Sequence, residues 1–493
     1  MEEKFDLVII GAGPGGYTAA IKAAKSGLKT ALIENREVGG TCLNRGCIPT
    51  KTLMHSSHLY YEAGGLDKFG IEITGLSFDF NKVQARKEEV VNKIRDGISG
   101  LLKANKVTLL SGTASILNQQ TVRLTQKGHP LTDEIRTGKI LIATGSKPFL
   151  PDIEGIHCKG VVTSDELLDG TDKIYKKLVI LGGGVIGIEF ATIYQEFGCE
   201  VEILEGMDRI LPSMEREVSQ SVAMNLKKRG IKIHTRSRVV KITENKGLCC
   251  VYEERSAGLS HQPGTDNDNI EKTEAGKILH AHKILKADGI LVAAGRKANT
   301  EHLFWEGFSL EMDGDKIKVN PEFETSVKGI YAIGDVIKGT QLAHAAAAQG
   351  ITAVGHMCNL TPSVNLNVIP SCIYTSPEVA AVGLGEEEAK EKGIKIKTGK
   401  YPLSGNAKAV LSLDERSYVK VISDSETGKI LGAQIICARA TDMIGEFAAA
   451  IANGLTVKEM TSVIRPHPTY EEAVTEALEE MEGMAIHLMP NKR

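Results

Sequence analysis

The sequence predicts an α/β chain with two similar parallel-sheet units and an α+β unit at its C-terminal end. Three observations predict it. At 493 residues the chain exceeds what one hydrophobic core holds. The order strand, G-x-G-x-x-G turn, helix, strand, acid occurs twice, over 5–34 and over 178–205. After a Pro/Asn linker at 359–367 the composition changes to short alternating strands and helices. The expected boundaries are 1–150 for the first unit, 151–282 for the second, 283–355 for a return to the first, and 356–493 for the C-terminal unit. A polar Gly-, Asp- and Asn-rich stretch at 255–282 reads as a surface insertion in the second unit.

Composition narrows the function. A net charge of −3 gives no reason to expect nucleic acid or an anionic membrane surface as partner. No apolar run reaches the length of a membrane span. Nine cysteines are spread thinly, unlike a secreted disulfide scaffold, which points to a reducing compartment. Met1-Glu2-Glu3-Lys4 runs straight into a strand without a signal peptide, so a cytoplasmic location is expected.

In the first unit, residues 5–10 read as a buried strand and 17–26 as an Ala-rich helix. Between them, Gly11 permits a tight turn, Gly13 lets the backbone approach a pyrophosphate, and Gly16 lets helix and strand pack closely. The helix N-terminus faces the phosphates, and Glu34 at the end of strand 30–33 can accept a ribose hydroxyl. Gly182, Gly184, Gly187 and Glu205 repeat these roles around strand 178–181, helix 188–197 and strand 200–204. Glu205 favours a free 2′-hydroxyl and so NAD over NADP, despite Arg209 nearby. Two Rossmann-like units mean two dinucleotides.

Between and beyond these units, residues 77–105 read as a charged, solvated helix with apolar positions such as Val91, Ile94, Ile98, Leu101 and Leu102. Residues 107–124 read as short strands around Gly112, and 139–143 as a strand ending in the small-residue turn Ala143-Thr144-Gly145. A strand at 287–294 leads to Gly295-Arg296-Lys297-Ala298-Asn299. A strand ending in Gly334-Asp335 precedes an Ala-rich helix at 342–353. Asp335 can accept hydrogen bonds from a flavin's ribityl chain, with the helix N-terminus near Ala343 opposite the electron-rich end of the ring. The same Asp also suits a plain helix cap.

The most telling stretch is Gly39-Gly40-Thr41-Cys42-Leu43-Asn44-Arg45-Gly46-Cys47-Ile48-Pro49-Thr50-Lys51, followed by a helix at 52–62. Cys42 and Cys47 read as a redox pair whose thiolate is stabilised by a helix N-terminus and by Lys51. The pattern also suits buried structural cysteines or half a zinc site, although no second ligand cluster with zinc spacing is present and no metal is expected. With one redox disulfide to serve, FAD plus NAD is the economical cofactor pair. Near the C-terminus, His467 stands between Pro466 and Pro468, and Glu472 can orient its imidazole as a general-base dyad.

GGTCLNRGCIPTK closely resembles the active-site segment of the flavin-dependent disulfide reductases, above all their dihydrolipoamide-oxidising members. The resemblance extends through both glycine turns, GRKAN, the Gly-Asp strand end and HPTYEE, and so covers nearly the whole chain. It implies one FAD per subunit, NAD, and a homodimer in which His467 serves the other subunit's disulfide. It adds Ala114, the Ala143–Gly145 turn, Val239, Gly295 and Ala343 to the cofactor-binding residues. It also puts Glu189 beside the nicotinamide, near Lys51, although a helix-start Glu is favoured by the dipole alone. Cys42 would take the substrate sulfur and Cys47 would face the flavin. The implied partner is a lipoylated protein of a 2-oxoacid dehydrogenase complex or the glycine cleavage system. The helix after HPTYEE is expected to continue into a tail at 484–488. A redox sensor without turnover is the alternative of another class; the full set of Cys42, Cys47, His467 and Glu472 argues against it, since a sensor needs no shared base.

Overall fold

The computed structural model describes residues 4–126, 132–170, 174–244, 247–254, 282–361, 363–413 and 416–489. All of the insertion expected at 255–282 except His282 lies outside them. The first sheet has seven strands. Lys4–Ile10 (β1), with Leu7, Val8 and Ile9 fully buried, lies between Thr30–Glu34 (β2) and Thr132–Ile142 and is parallel to both. Strands buried on both faces read as continuous apolar runs, as β1 does. Thr108–Ser111 extends the sheet beyond β2. Ile330–Ala332 returns from far along the chain to pair with Thr132–Ile142.

The second sheet is parallel throughout, in the order Lys232–His234, Glu200–Leu204, Lys177–Leu181, Gly289–Val292, Val161–Thr163. A boundary at 282/283 therefore falls too early. His282–Ala287 pairs with Leu248–Glu254, and Gly289–Val292 is hydrogen bonded inside the second sheet. The strand expected at 287–294 is interrupted at Asp288, which joins these two pairings. The C-terminal unit is a five-stranded antiparallel sheet, Ser371–Ile373, Glu378–Gly383, Ile430–Cys437, Tyr418–Asp424, Ile396–Pro402, covered by helices Ala440–Asn453 and Glu472–Glu480.

Three helices start earlier than the apolar pattern suggests. The first runs Pro14–Lys25 (α1), because Pro14 takes the first helical position, where no N–H is needed. Its counterpart runs Val185–Glu196 from N-cap Gly184. The cysteine segment is helical almost throughout: Gly40–Arg45 (α2) holds Cys42, and Cys47–Ala63 (α3) begins at Cys47 itself. Pro49 is tolerated there because it lies in the first turn. Phe80–Ala104 (α4) is the charged, largely solvent-exposed helix the sequence predicts, and it also reaches the cysteine segment. It buries Lys87, Val91, Ile98 and Leu102 on one face, leaves Ile94 and Leu101 exposed, and sends Arg95 to Asn44 of the cysteine segment at 2.8 and 3.0 Å. The expected helical tail is also corrected. The last helix ends at Glu480, and His487 instead folds back onto Glu476, Nδ1 to Oε1 at 2.7 Å.

α3 links the units. Its first turn carries Cys47 and Lys51, while Leu53 and Met54 enter the core of the second unit with Phe190 and Tyr194. Ile373, Val379 and Tyr418 of the C-terminal unit join the same core. Among the described residues, no helix is long and apolar enough to cross a membrane.

Candidate active site

One cavity of about 1080 Å³ gathers most of the residues singled out in the sequence. Gly11, Gly13, Glu34, Cys42, Cys47, Lys51, Ala114, Ala143, Thr144, Gly145, Gly184, Glu189, Gly295, Asp335 and Ala343 line it. Gly16, Gly182, Gly187, Glu205, Val239, His467 and Glu472 are not part of its wall. Val239 lies on the antiparallel strand Ser237–Thr243 and packs toward a separate cluster with Leu248 and Tyr252.

The two glycine turns share one geometry. A Cβ on Gly16 would lie 1.8 Å from the Gly11 carbonyl oxygen, and one on Gly187 2.1 Å from that of Gly182. These glycines allow strand and helix to touch. Gly184, in contrast, would place a Cβ in open space, and Gly13 would meet nothing closer than 3.9 Å. Both are N-caps with no side chain to satisfy the helix N–H groups. An uncapped helix start opening on a cavity fits a phosphate. The strand-end acids also match. Glu34 accepts from the N–H of Ala12 and Arg36, both at 2.8 Å; Glu205 accepts from Gly183 at 2.6 Å and Met207 at 2.7 Å. A contrast between neighbouring glycines follows. Gly187→Ala is expected to cost about 1–3 kcal/mol or more through backbone overlap. Gly184→Ala is expected to melt like the parent but to raise the KM for NAD+ roughly tenfold, because its methyl occupies the phosphate approach. Thermal melts and NAD+ titrations check both.

Cys42 and Cys47 are free thiols, half-buried and hydrogen bonded to each other. The bond from Cys42 and then the Lys51 charge hold Cys47 below the ordinary thiol range, against burial that raises it. Cys42, the donor in that bond and also buried, is pushed far up. Lys51 Nζ sits 2.9 and 2.7 Å from the two carboxylate oxygens of Glu189. These two residues are 138 positions apart, brought together by the contact between α3 and the Val185–Glu196 helix.

Several contacts escaped the sequence reading. Arg296 Nε donates to Ser146 Oγ at 2.8 Å, which donates to Asp335 Oδ2 at 2.6 Å, so a half-buried relay orients the Asp. Thr144 and Asn299 clasp each other through Oγ1 and Nδ2 at 2.7 and 3.0 Å. Asn44 donates to the carbonyls of Val38 and Gly40 and pins the cysteine loop. All but Arg95 of α4 lie within or beside a recognised motif, and that position was the available signal.

His467 Nδ1 lies 2.8 Å from Glu472 Oε1, and Glu472 Oε2 accepts the Thr469 N–H at 2.9 Å. Burial tends to raise the Glu472 carboxyl, but the Thr469 N–H and His467 outweigh it, and the net shift is downward. The imidazole side chain is 72% exposed.

Comparison with known proteins decides the family. The pyridine nucleotide-disulphide oxidoreductase profile matches residues 5–350, and the dimerisation domain of that family matches 369–478. The chain belongs to the pyridine nucleotide-disulphide oxidoreductase family. FAD and NAD(H) are its cofactors, and its C-terminal unit is a dimerisation domain that supports a homodimer. A dihydrolipoyl dehydrogenase of Bacillus subtilis is 39% identical over 99% of this chain and 100% of its own. A mitochondrial dihydrolipoyl dehydrogenase of Pisum sativum is 37% identical over 98% and 92%. Among solved structures, the HOCl-induced flavoprotein disulfide reductase RclA of Escherichia coli superposes with a TM-score of 0.80 at 28% identity, covering 96% of this chain and 99% of that one. LpdA of Mycobacterium tuberculosis shares the fold, with a TM-score of 0.84 at 24% identity over 97% and 99%.

Proposed function

We propose that this family member oxidises dihydrolipoamide carried on a partner protein and reduces NAD+. The observation that carries the reading is the convergence of Cys42, Cys47, the Lys51–Glu189 pair and two uncapped glycine turns on one cavity. Likeness over the full length to dihydrolipoyl dehydrogenases supports the lipoyl substrate.

The chemistry follows from the residues. His467, oriented by Glu472, accepts a proton from a substrate thiol, because the thiolate is the nucleophile. The substrate sulfur attacks Cys42 of the oxidised pair. The Cys42–Cys47 bond breaks, Cys47 leaves as a thiolate held by Lys51, and a mixed disulfide forms. His467 gives up that proton to solvent and, neutral again, takes the proton of the second substrate thiol, which displaces Cys42, and the departing Cys42 sulfur receives it. The lipoyl ring closes as a disulfide, and both cysteines are left reduced. When bound, FAD would supply the two-electron redox chemistry that links this dithiol to NAD+. Gly11, Gly13, Ala114, Asp335 and Ala343 would hold FAD, and Gly184 and Glu189 would hold NAD, with Glu205 behind the wall bracing the turn through the N–H groups of Gly183 and Met207. Val239 has no wall position and would need a contact outside the cavity.

The exposed imidazole, away from its own cavity wall, suits service to the other subunit's cysteines. A lipoylated acyltransferase or a glycine-cleavage carrier protein supplies the substrate, and a reducing cytoplasm suits the chemistry. Steady-state assays with dihydrolipoamide and NAD+, and with glutathione disulfide and NADH or NADPH, test the reading. Turnover with the lipoyl pair and NAD, at least about a hundredfold above the others, is expected. Preference for glutathione or NADPH would defeat it.

A further inference from the structure

We propose that Tyr374, delivered by the dimerisation domain, is the positioning residue that holds the Lys51–Glu189 pair beside Cys47. The proposal rests on the dithiol reading above and names a residue that no sequence motif identified.

Lys51 follows Cys47 by one helical turn, so the two share a face of α3. The lysine side chain is 30% exposed and ends on a flexible stem, so Glu189 alone leaves it room to swing away. Tyr374 supplies a second contact to that ammonium. Its ring centroid lies 4.7 Å from Lys51 Nζ, within range of an attractive cation–π contact. Its backbone N–H donates to Glu189 Oε1 at 3.2 Å, giving the carboxylate, 5% exposed, a further partner. One residue thus contacts both members of the pair. The ring is also firmly placed. Tyr374 follows strand Ser371–Ile373, whose Ile373 pairs with Val379, and both enter the core that holds Leu53 and Met54 of α3. Around Cys47 the charged or titratable groups are Cys42 from α2, Lys51 from α3 and Glu189 from the Val185–Glu196 helix. Cys372 and Glu378 lie beyond, around Tyr374 itself.

The test follows the Cys47 thiolate, not turnover. In a Cys42→Ser background, ultraviolet thiolate absorbance against pH reports Cys47 alone of the pair. Residue 374 is made Phe and then mono-, di- and trifluorinated Phe, which drains the ring's negative face at nearly constant volume. Tyr374→Leu removes the face altogether. Phe is expected to reproduce Tyr, each fluorine to move the titration upward, and Leu to give the largest shift. The thiolate fraction at neutral pH should fall several-fold between Phe and the trifluoro form. A flat fluorine series overturns the proposal, whether or not Leu shifts or folds, because it leaves Tyr374 as space-filling only. Lipoyl turnover of each 374 variant with Cys42 intact is measured in parallel. Absent turnover with a graded titration would defeat the functional reading and leave this one standing.

Discussion

Replacing Cys47 with Ser is expected to lower dihydrolipoamide turnover by at least about a thousandfold while leaving a folded, flavin-containing dimer. The cause is chemical, because serine oxygen cannot form or break the inter-sulfur bond that carries the electron pair. Structure should change little. Ser matches Cys in shape, the site is half-buried, and Cys47 only opens α3, whose packing begins with Pro49, Thr50, Leu53 and Met54. Cys42→Ser should be equally inactive for a different reason, since it removes the sulfur that substrate attacks. Flavin absorbance, a melting curve and anaerobic dithiol oxidation check each variant. Turnover within about tenfold of the parent for either one would remove the pair from the mechanism.

The second large effect concerns who supplies the base. His467→Gln homodimers are expected to lose about a hundred- to ten-thousandfold in turnover, the usual weight of a positioned base. Mixing and reassociating them with Cys42→Ser homodimers should restore activity from two nearly dead preparations. A hybrid dimer has one site lacking both groups and one site intact. Random pairing makes half the dimers hybrid, so about one quarter of parental activity returns. The argument is geometric. The His467–Glu472 dyad is formed and exposed, yet does not line the cavity that holds its own Cys42 and Cys47. No recovery on mixing, with hybrids verified by mass, would assign His467 to its own chain.

Legibility varied with how local each signal is. The glycine turns were readable because Gly11, Gly16, Gly182 and Gly187 answer to contacts within about twenty residues or with the adjoining strand. The start of α3 was not, since Pro49 reads as a break unless it is known to lie in a first turn. The Lys51–Glu189 contact was legible only through family resemblance, because nothing local to either residue points to the other. Tyr374 and Arg95 were invisible for the same reason. Each reaches the site from a segment whose own pattern reports only its fold. The relay from Arg296 through Ser146 to Asp335 lay beside three readable motifs, yet the joining of 146 to 296 needs the antiparallel pairing of Ser146–Pro148 with Arg296–Ala298.

The sulfur at the front of α3 and the apolar side chains behind it belong to one rigid rod. Heating should therefore not silence the enzyme by gradual loosening of its chemistry. Loss of order in the second nucleotide unit frees Leu53 and Met54, and the same event releases Cys47 and Lys51. Inactivation and melting of that unit should trace a single curve.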